Sequence, residues 1–181
     1  MTSAQKKIII VDDNDTNLTA CKKILKPFYE VFPAPSAKKL FDLLEHVVPD
    51  LLILDVDMPD LNGYEVAGRL KLNDVHKRIP IIFLSGRVDP TSELFGLNMG
   101  ALDYIHKPFV SELLLKRIKA HLSLIERNRS IQEMRASVNG IIDLLGTARG
   151  ADPEKVKECL EKAENSSKNL LELIDSVIGD A

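Results

Sequence analysis

Five side chains have the types and positions needed to place a phosphoryl group on a carboxylate. Asp55 ends the apolar run Leu51-Leu52-Ile53-Leu54. It therefore sits at the carboxyl end of a strand, where open α/β sheets hold their ligands. Asp12-Asp13 closes the earlier run Ile8-Ile9-Ile10-Val11, Ser85 follows a run from Pro80 to Leu84, and Lys107 follows one from Leu102 to Ile105. Attack of a carboxylate on a phosphoryl group brings two anions together, so it needs cations. Mg²⁺ takes oxygen ligands, commonly one or two carboxylates with phosphate oxygen and water, and Asp12 and Asp13 can supply them. A lysine neutralises charge on the transferring oxygens and a hydroxyl hydrogen-bonds one of them, roles open to Lys107 and Ser85. Taken singly, an aspartate pair is a solvated cap and a Lys-Pro a loop; the conjunction carries the reading.

These residues need a scaffold that brings strand ends together. Residues 6–122 alternate short apolar runs with helical patterns. Ile8–Val11, Tyr29–Ala34, Leu51–Leu54, Pro80–Leu84 and Leu102–Ile105 read as strands. Helices are expected from Asn14 to Lys26, after Ser36 (with Leu40, Phe41, Leu44 and Val47 inward), from Tyr64 to Leu72 after an Asn62-Gly63 turn, from Pro90 to Asn98, and from about Ser111. Five βα units in succession imply a parallel sheet covered on both faces.

After about residue 123 no strand signal returns. Ile131, Met134, Val138, Ile141 and Leu145 recur at helical spacing, Gly146 to Gly150 interrupts, and Asp152-Pro153 restarts a helix as N-cap and first residue. Val156, Leu160, Ala163, Leu170, Ile174 and Val177 then line a second face. The expected domains are thus 1–123 and 124–181, the latter an antiparallel helical hairpin. Two helices bury little surface alone, so a second copy completing a four-helix bundle is expected; the alternative is a hairpin folded back on its own sheet.

The chain has 181 residues and net charge −3, with acids and bases interspersed. That speaks against a nucleic-acid surface, and the hairpin has no basic run and no third helix for a helix-turn-helix. Cys21 and Cys159 fit no metal or redox spacing. The opening, Met1 to Lys7, leads into an apolar run too short for a signal peptide, and no stretch is long enough to span a membrane. A reduced, cytoplasmic protein is expected.

With these residues in place, residues 6–122 resemble the receiver domain of two-component response regulators. The resemblance rests on Val11-Asp12-Asp13-Asn14, Leu54-Asp55-Val56-Asp57-Met58-Pro59, Asn62-Gly63-Tyr64-Glu65, Leu84-Ser85-Gly86, Gly100-Ala101-Leu102-Asp103-Tyr104-Ile105 and Lys107-Pro108-Phe109, in matching order and spacing. It implies a flavodoxin-like, doubly wound five-stranded parallel sheet of order 2-1-3-4-5. It also implies Asp55 as phosphoacceptor from a histidine kinase or phosphotransfer protein. Asp13 would then be a direct Mg²⁺ ligand, Asp12 a ligand through water, and the backbone carbonyl of Asp57 a third protein ligand. Ser85 and Tyr104 match the pair that rearranges on phosphorylation, and Lys107-Pro108 matches the lysine before a cis peptide bond. Asp57 departs from the family, which often has an apolar residue there. Either it alters phosphoryl lifetime or metal preference, or it is a solvated carboxylate of little effect.

Asp55-Val56-Asp57 also matches haloacid-dehalogenase phosphatases. That family's remaining metal acids follow its lysine, whereas Asp12-Asp13 precede the nucleophile here. Of the histidines, His46, His76 and His106 read as surface or loop residues and His121 as packed or solvated.

The stretch from Ile131 to Ile142 is similar to the phosphoacceptor helix of histidine kinases: Glu133, Arg135, Asn139, Gly140, Ile141 and Ile142 match. Gln132 stands where that family has its histidine, and no histidine follows His121 in this sequence. The hairpin is therefore expected to dimerise and to dock a partner through Gln132, Glu133 and Arg135 without relaying phosphate. Two functional classes follow. In one, phosphorylation changes what a helical homodimer binds; in the other, the receiver is a phosphate sink on a structural dimeriser.

Overall fold

In the computed structural model, residues 5–86 and 89–179 are described; the reading of residues 1–4 as too short a leader lies partly outside them. The elements follow the order β1 (Lys7–Val11), α1 (Asp15–Leu25), β2 (Glu30–Ala34), α2 (Ala37–Leu44), β3 (Leu51–Asp55), α3 (Gly63–Leu72), β4 (Ile81–Ser85), α4 (Pro90–Asn98), β5 (Asp103–His106), α5 (Ser111–Ala148) and α6 (Pro153–Gly179). The chain divides into two units, Met1–Leu122 and Ser123–Ala181.

The first unit is a parallel sheet of order β2-β1-β3-β4-β5, the flavodoxin-like arrangement. Strands β3 and β4 are buried at every position, as continuous apolar runs demand when helices cover both faces. Ile9, Leu52, Leu54, Phe83 and Tyr104 share one core with Leu40 of α2 and Val66 and Leu70 of α3. Leu114, Ile118 and Leu122 bury the first part of α5.

Local chemistry sets the helix starts. Asn14 caps α1, its side chain accepting from the N–H groups of Thr16 and Asn17. Ser36 caps α2, which ends at Leu44, so Val47 packs on the core from beyond the helix. Asn62 is an N-cap rather than a free turn: with Glu65 it forms a reciprocal capping box at the start of α3. Asp89 caps α4, with Pro90 opening the helix, and Gly100 follows α4 at φ 85°.

The second unit holds the rest of α5 and all of α6. The unit boundary falls inside α5, which runs 38 residues through Gly140 and Gly146 and stops only before Gly150, at φ 84°. Asp152 caps α6 by accepting from the N–H groups of Glu154 and Lys155. The Ser137 hydroxyl donates to the Ser166 carbonyl, tying α5 to α6 in an antiparallel pair. The apolar stripe read on α5 is split between two faces. Met134, Ile141 and Leu144 are partly buried, whereas Ile131, Val138, Ile142 and Leu145 are exposed. On α6, Cys159 and Ala163 are buried but Leu160 and Leu171 are exposed. No helix among the described residues is long and apolar enough to cross a membrane.

Candidate functional site

The carboxyl ends of β1, β3, β4 and β5 converge on one acidic site. Asp55, the last residue of β3, is only 3 % exposed, and Asp12, just past β1, is fully buried. Asp12, Asp13 and Asp55 can each offer a carboxylate oxygen within 4.8 Å of the others. Lys107 reaches in from beyond β5, its Nζ 2.6 Å from Asp12 Oδ2 and 2.9 Å from Asp55 Oδ1. The Lys107-Pro108 peptide is cis, as the resemblance implied.

Asp12 and Asp55 are each oriented by their partners. Asp12 Oδ1 accepts from the Asn14 N–H at 2.9 Å and from Asn17 Nδ2 at 3.1 Å, so α1 orients it. Asn17 carries no motif signal, and only its place one turn into α1 reveals this contact. On Asp55, the Lys107 ammonium and the Asp57 N–H both address Oδ1. Neither of these contacts uses Oδ2. Gly63 lets the start of α3 close against β3: a Cβ there would collide with the Asp55 carbonyl oxygen. The Gly63 N–H instead donates to the Val56 carbonyl at 3.0 Å.

The charge balance is uneven, three carboxylates against one ammonium. Burial raises the Asp55 carboxyl above its ordinary value of 3.8, and the hydrogen bond from Lys107 only partly offsets this. At Lys107 the balance reverses. Burial would lower the ammonium, but Asp12 and Asp55 together outweigh it and the net shift is upward from 10.5. The pair differs because one lysine is shared between two anions: each carboxylate is half neutralised, whereas the lysine is doubly paired. Cys21, fully buried beneath the site, has its thiol pushed up to about 12 by burial and by Asp12, which makes it a core residue and not a nucleophile. The donor set is all oxygen with surplus negative charge, which fits a hard divalent cation such as Mg²⁺.

The surrounding side chains extend the site toward α4. Ser85 is fully buried, and its hydroxyl donates to Asp57 Oδ2 at 3.2 Å rather than to Asp55. Tyr104 is buried, its phenol 3.2 Å from that of Tyr64, which in turn donates to the Ser92 carbonyl of α4 at 2.9 Å. Tyr64 also packs edge-on to Phe83 and Phe95, with centroids 5.1 and 5.0 Å away. Tyr64 stands in a quoted motif, but nothing in its spacing signals the contact with Tyr104. His106 is not a simple loop residue: it ends β5, stacks edge-on to Tyr104 and lies 3.2 Å from Glu93 of α4. His121 and Arg117 of α5 both pair with Asp103. Gln132, Glu133 and Arg135 belong to the second unit, where all three are exposed.

The profile of the response regulator receiver domain matches residues 8–119, more than half of the chain. A probable cyclic di-GMP phosphodiesterase of Vibrio cholerae is 31 % identical over 157 residues, 87 % of this chain but only 35 % of that protein. A CheY-like receiver domain protein from Methanospirillum hungatei is 32 % identical with a TM-score of 0.63, over 69 % of this chain and 99 % of that one. The BeF3-activated DrrB receiver domain is 31 % identical with a TM-score of 0.60, over 66 % of this chain and 98 % of that one. The chain belongs to the response regulator receiver domain family of two-component systems. It spans about a third of the phosphodiesterase it matches, so the activity named there is that protein's own.

Proposed function

We propose that this protein accepts a phosphoryl group on Asp55 from a histidine kinase or phosphotransfer protein and answers by changing what its helical dimer binds. The observation that carries the reading is the buried Asp55 carboxylate bridged by Lys107 to Asp12, with Asp13 alongside. Asp12, Asp13 and the Asp57 carbonyl would hold Mg²⁺, which supplies charge neutralisation between the entering phosphoryl group and the carboxylate. Lys107 positions Asp55 Oδ1 and offsets charge on the transferring oxygens, while Oδ2 forms the new O–P bond and the donor's leaving group departs with its electron pair. Ser85 and Tyr104 form the switch pair that reports occupancy.

The output reading is supported by the exposed apolar residues of the hairpin. Ile131, Val138 and Leu145 are spaced by sevens on α5, with Ile142 beside them. That is the spacing of a helix seam awaiting another helix, and a second copy supplies it. Exposed Gln132, Glu133 and Arg135 flank this seam as a docking surface. The continuous α5, which begins in the receiver unit, favours a coupled output over a passive phosphate sink.

The test compares wild type with Asp55→Ala in the presence of Mg²⁺ and a small phosphodonor, by intact mass, sedimentation and partner capture. A mass gain of one phosphoryl group confined to wild type, with altered assembly or binding, is expected. Uptake without any such change, unaffected by deleting residues 124–181, would select the phosphate sink.

A further inference from the structure

Asn17 is the third residue of α1, and both of its nitrogens are committed. Its backbone N–H donates to the cap, Asn14 Oδ1, at 3.3 Å, which ties its backbone into the first turn. Its side-chain amide turns back past the cap and donates to Asp12 Oδ1 at 3.1 Å. A carboxylate only accepts, so the amide must present its nitrogen there. Oδ1 also takes the Asn14 N–H at 2.9 Å, and Oδ2 takes the Lys107 ammonium at 2.6 Å. We propose that Asn17 is a positioning residue for the cation: its amide locks the rotation of the Asp12 carboxylate and so sets how tightly Asp12, Asp13 and Asp55 together hold a divalent metal. This rests on reading those three acids as a Mg²⁺ site.

The lock follows from the geometry of the three bonds. A carboxylate offers about four lone-pair sites, and α1 and Lys107 fill three of them on Asp12. Two donors on Oδ1 and one on Oδ2 fix the carboxylate plane, which cannot turn without breaking a bond. Without the amide, Oδ1 keeps a single backbone donor and the group can pivot about it. Mg²⁺ demands near-ideal octahedral geometry, so a pivoting carboxylate costs it affinity, whether it meets the ion directly or through water. Asp12 is fully buried and Asp13 exposed, so Asp12 is the acid whose orientation the fold can set in advance. Asn17 is itself partly buried, unlike Asn14, Asp15 and Thr16 around it, as its inward reach requires.

A purely structural role makes a different forecast. If Asn17 only steadied the first turn of α1, metal affinity would follow helix stability. Leu and Gln both favour a helix over Asn, so neither substitution would then weaken binding. Positioning makes the donor decisive: Leu has the bulk without the amide, and Gln keeps the amide on a longer arm. Mg²⁺ is titrated at fixed ionic strength into the full chain of wild type, Asn17→Leu, Asn17→Ala, Asn17→Gln and Asp13→Asn, followed by backbone amide NMR shifts. Thermal melting before metal is added confirms that each is folded, and Asn17→Ala decides if Asn17→Leu is not. The variants without a donor should raise the dissociation constant about tenfold, the low end for loss of a partner that orients a ligand. Asn17→Gln should stay within about threefold of wild type. A change of less than about twofold without the donor, the size of an uncoupled substitution, overturns the proposal, as does an equal loss in Asn17→Gln. If wild type binds Mg²⁺ no better than Asp13→Asn, the metal reading itself falls and this proposal with it.

Discussion

Lys107 Nζ stands 2.9 Å from Asp55 Oδ1, yet the Asp55 carboxyl lies above its ordinary value of 3.8 because burial outweighs a lysine that Asp12 also claims. A folded-state value raised above the unfolded one means the native state binds the proton more tightly. Stability is then lost as pH rises through and above 3.8. Asp55→Asn should therefore melt higher than wild type at neutral pH, and the gap should close as pH falls below that value. Thermal melts across pH check this; a variant less stable than wild type at pH 7 would contradict it.

Removing the cation should do the opposite. Lys107→Met leaves Asp12 and Asp55 buried without their shared partner, a change that typically costs about 3–5 kcal/mol. Combining it with Asp55→Asn should recover part of the loss, because one of the two stranded charges is gone. Urea unfolding of the single and double variants measures both values.

Mg²⁺ should stabilise the folded protein in proportion to its binding. At one hundred times its dissociation constant, a ligand of the native state adds about 2.7 kcal/mol. The rise in melting temperature with Mg²⁺ should shrink sharply in Asp13→Asn, and chelation should reverse it in wild type.

Gly63 and Gly68 share α3 and make a matched pair. A Cβ at Gly63 meets the Asp55 backbone, whereas at Gly68 it meets nothing within 4 Å. Gly63→Ala should cost about 1–3 kcal/mol as overpacking and weaken metal binding. Gly68→Ala should stabilise by about 0.5–1 kcal/mol through helix propensity. Denaturant midpoints of the two variants, with and without Mg²⁺, decide between a local and a general role for α3 glycines.

The strands and the strand-end residues were legible because their signals are local: a buried run followed by Asp12, Asp55, Ser85 or Lys107 marks both the element and the polar side chain at its end. The helix starts capped by Ser36 and Asp152 were legible for the same reason, whereas Asn14, read as the first residue of its helix, is the cap before it. The contacts that the sequence hides are those between distant segments. Asp57 to Ser85 spans 28 residues and Tyr64 to Tyr104 spans 40, and a polar side chain carries no mark of which remote hydroxyl it will meet. The hairpin stripe was legible as apolar but not as two faces, because helical spacing groups residues within about 100° without saying which neighbour covers them.

That division of the stripe makes the proposed dimer testable one residue at a time. Val138 and Ile142 are exposed on α5, Ile142 at 59 %, whereas Met134 and Ile141 are partly buried. A charge at an exposed position of a monomer shifts stability by no more than about 0.5 kcal/mol. In a bundle of two copies the same charge lands in a desolvated seam, opposite its own image. Ile142→Lys should therefore halve the sedimenting mass of the full chain at concentrations where wild type is a dimer. Met134→Lys should instead lower the melting temperature of the second unit. If Ile142→Lys leaves the mass unchanged, the exposed stripe is not the seam, and the helical pair must assemble through another face or not at all.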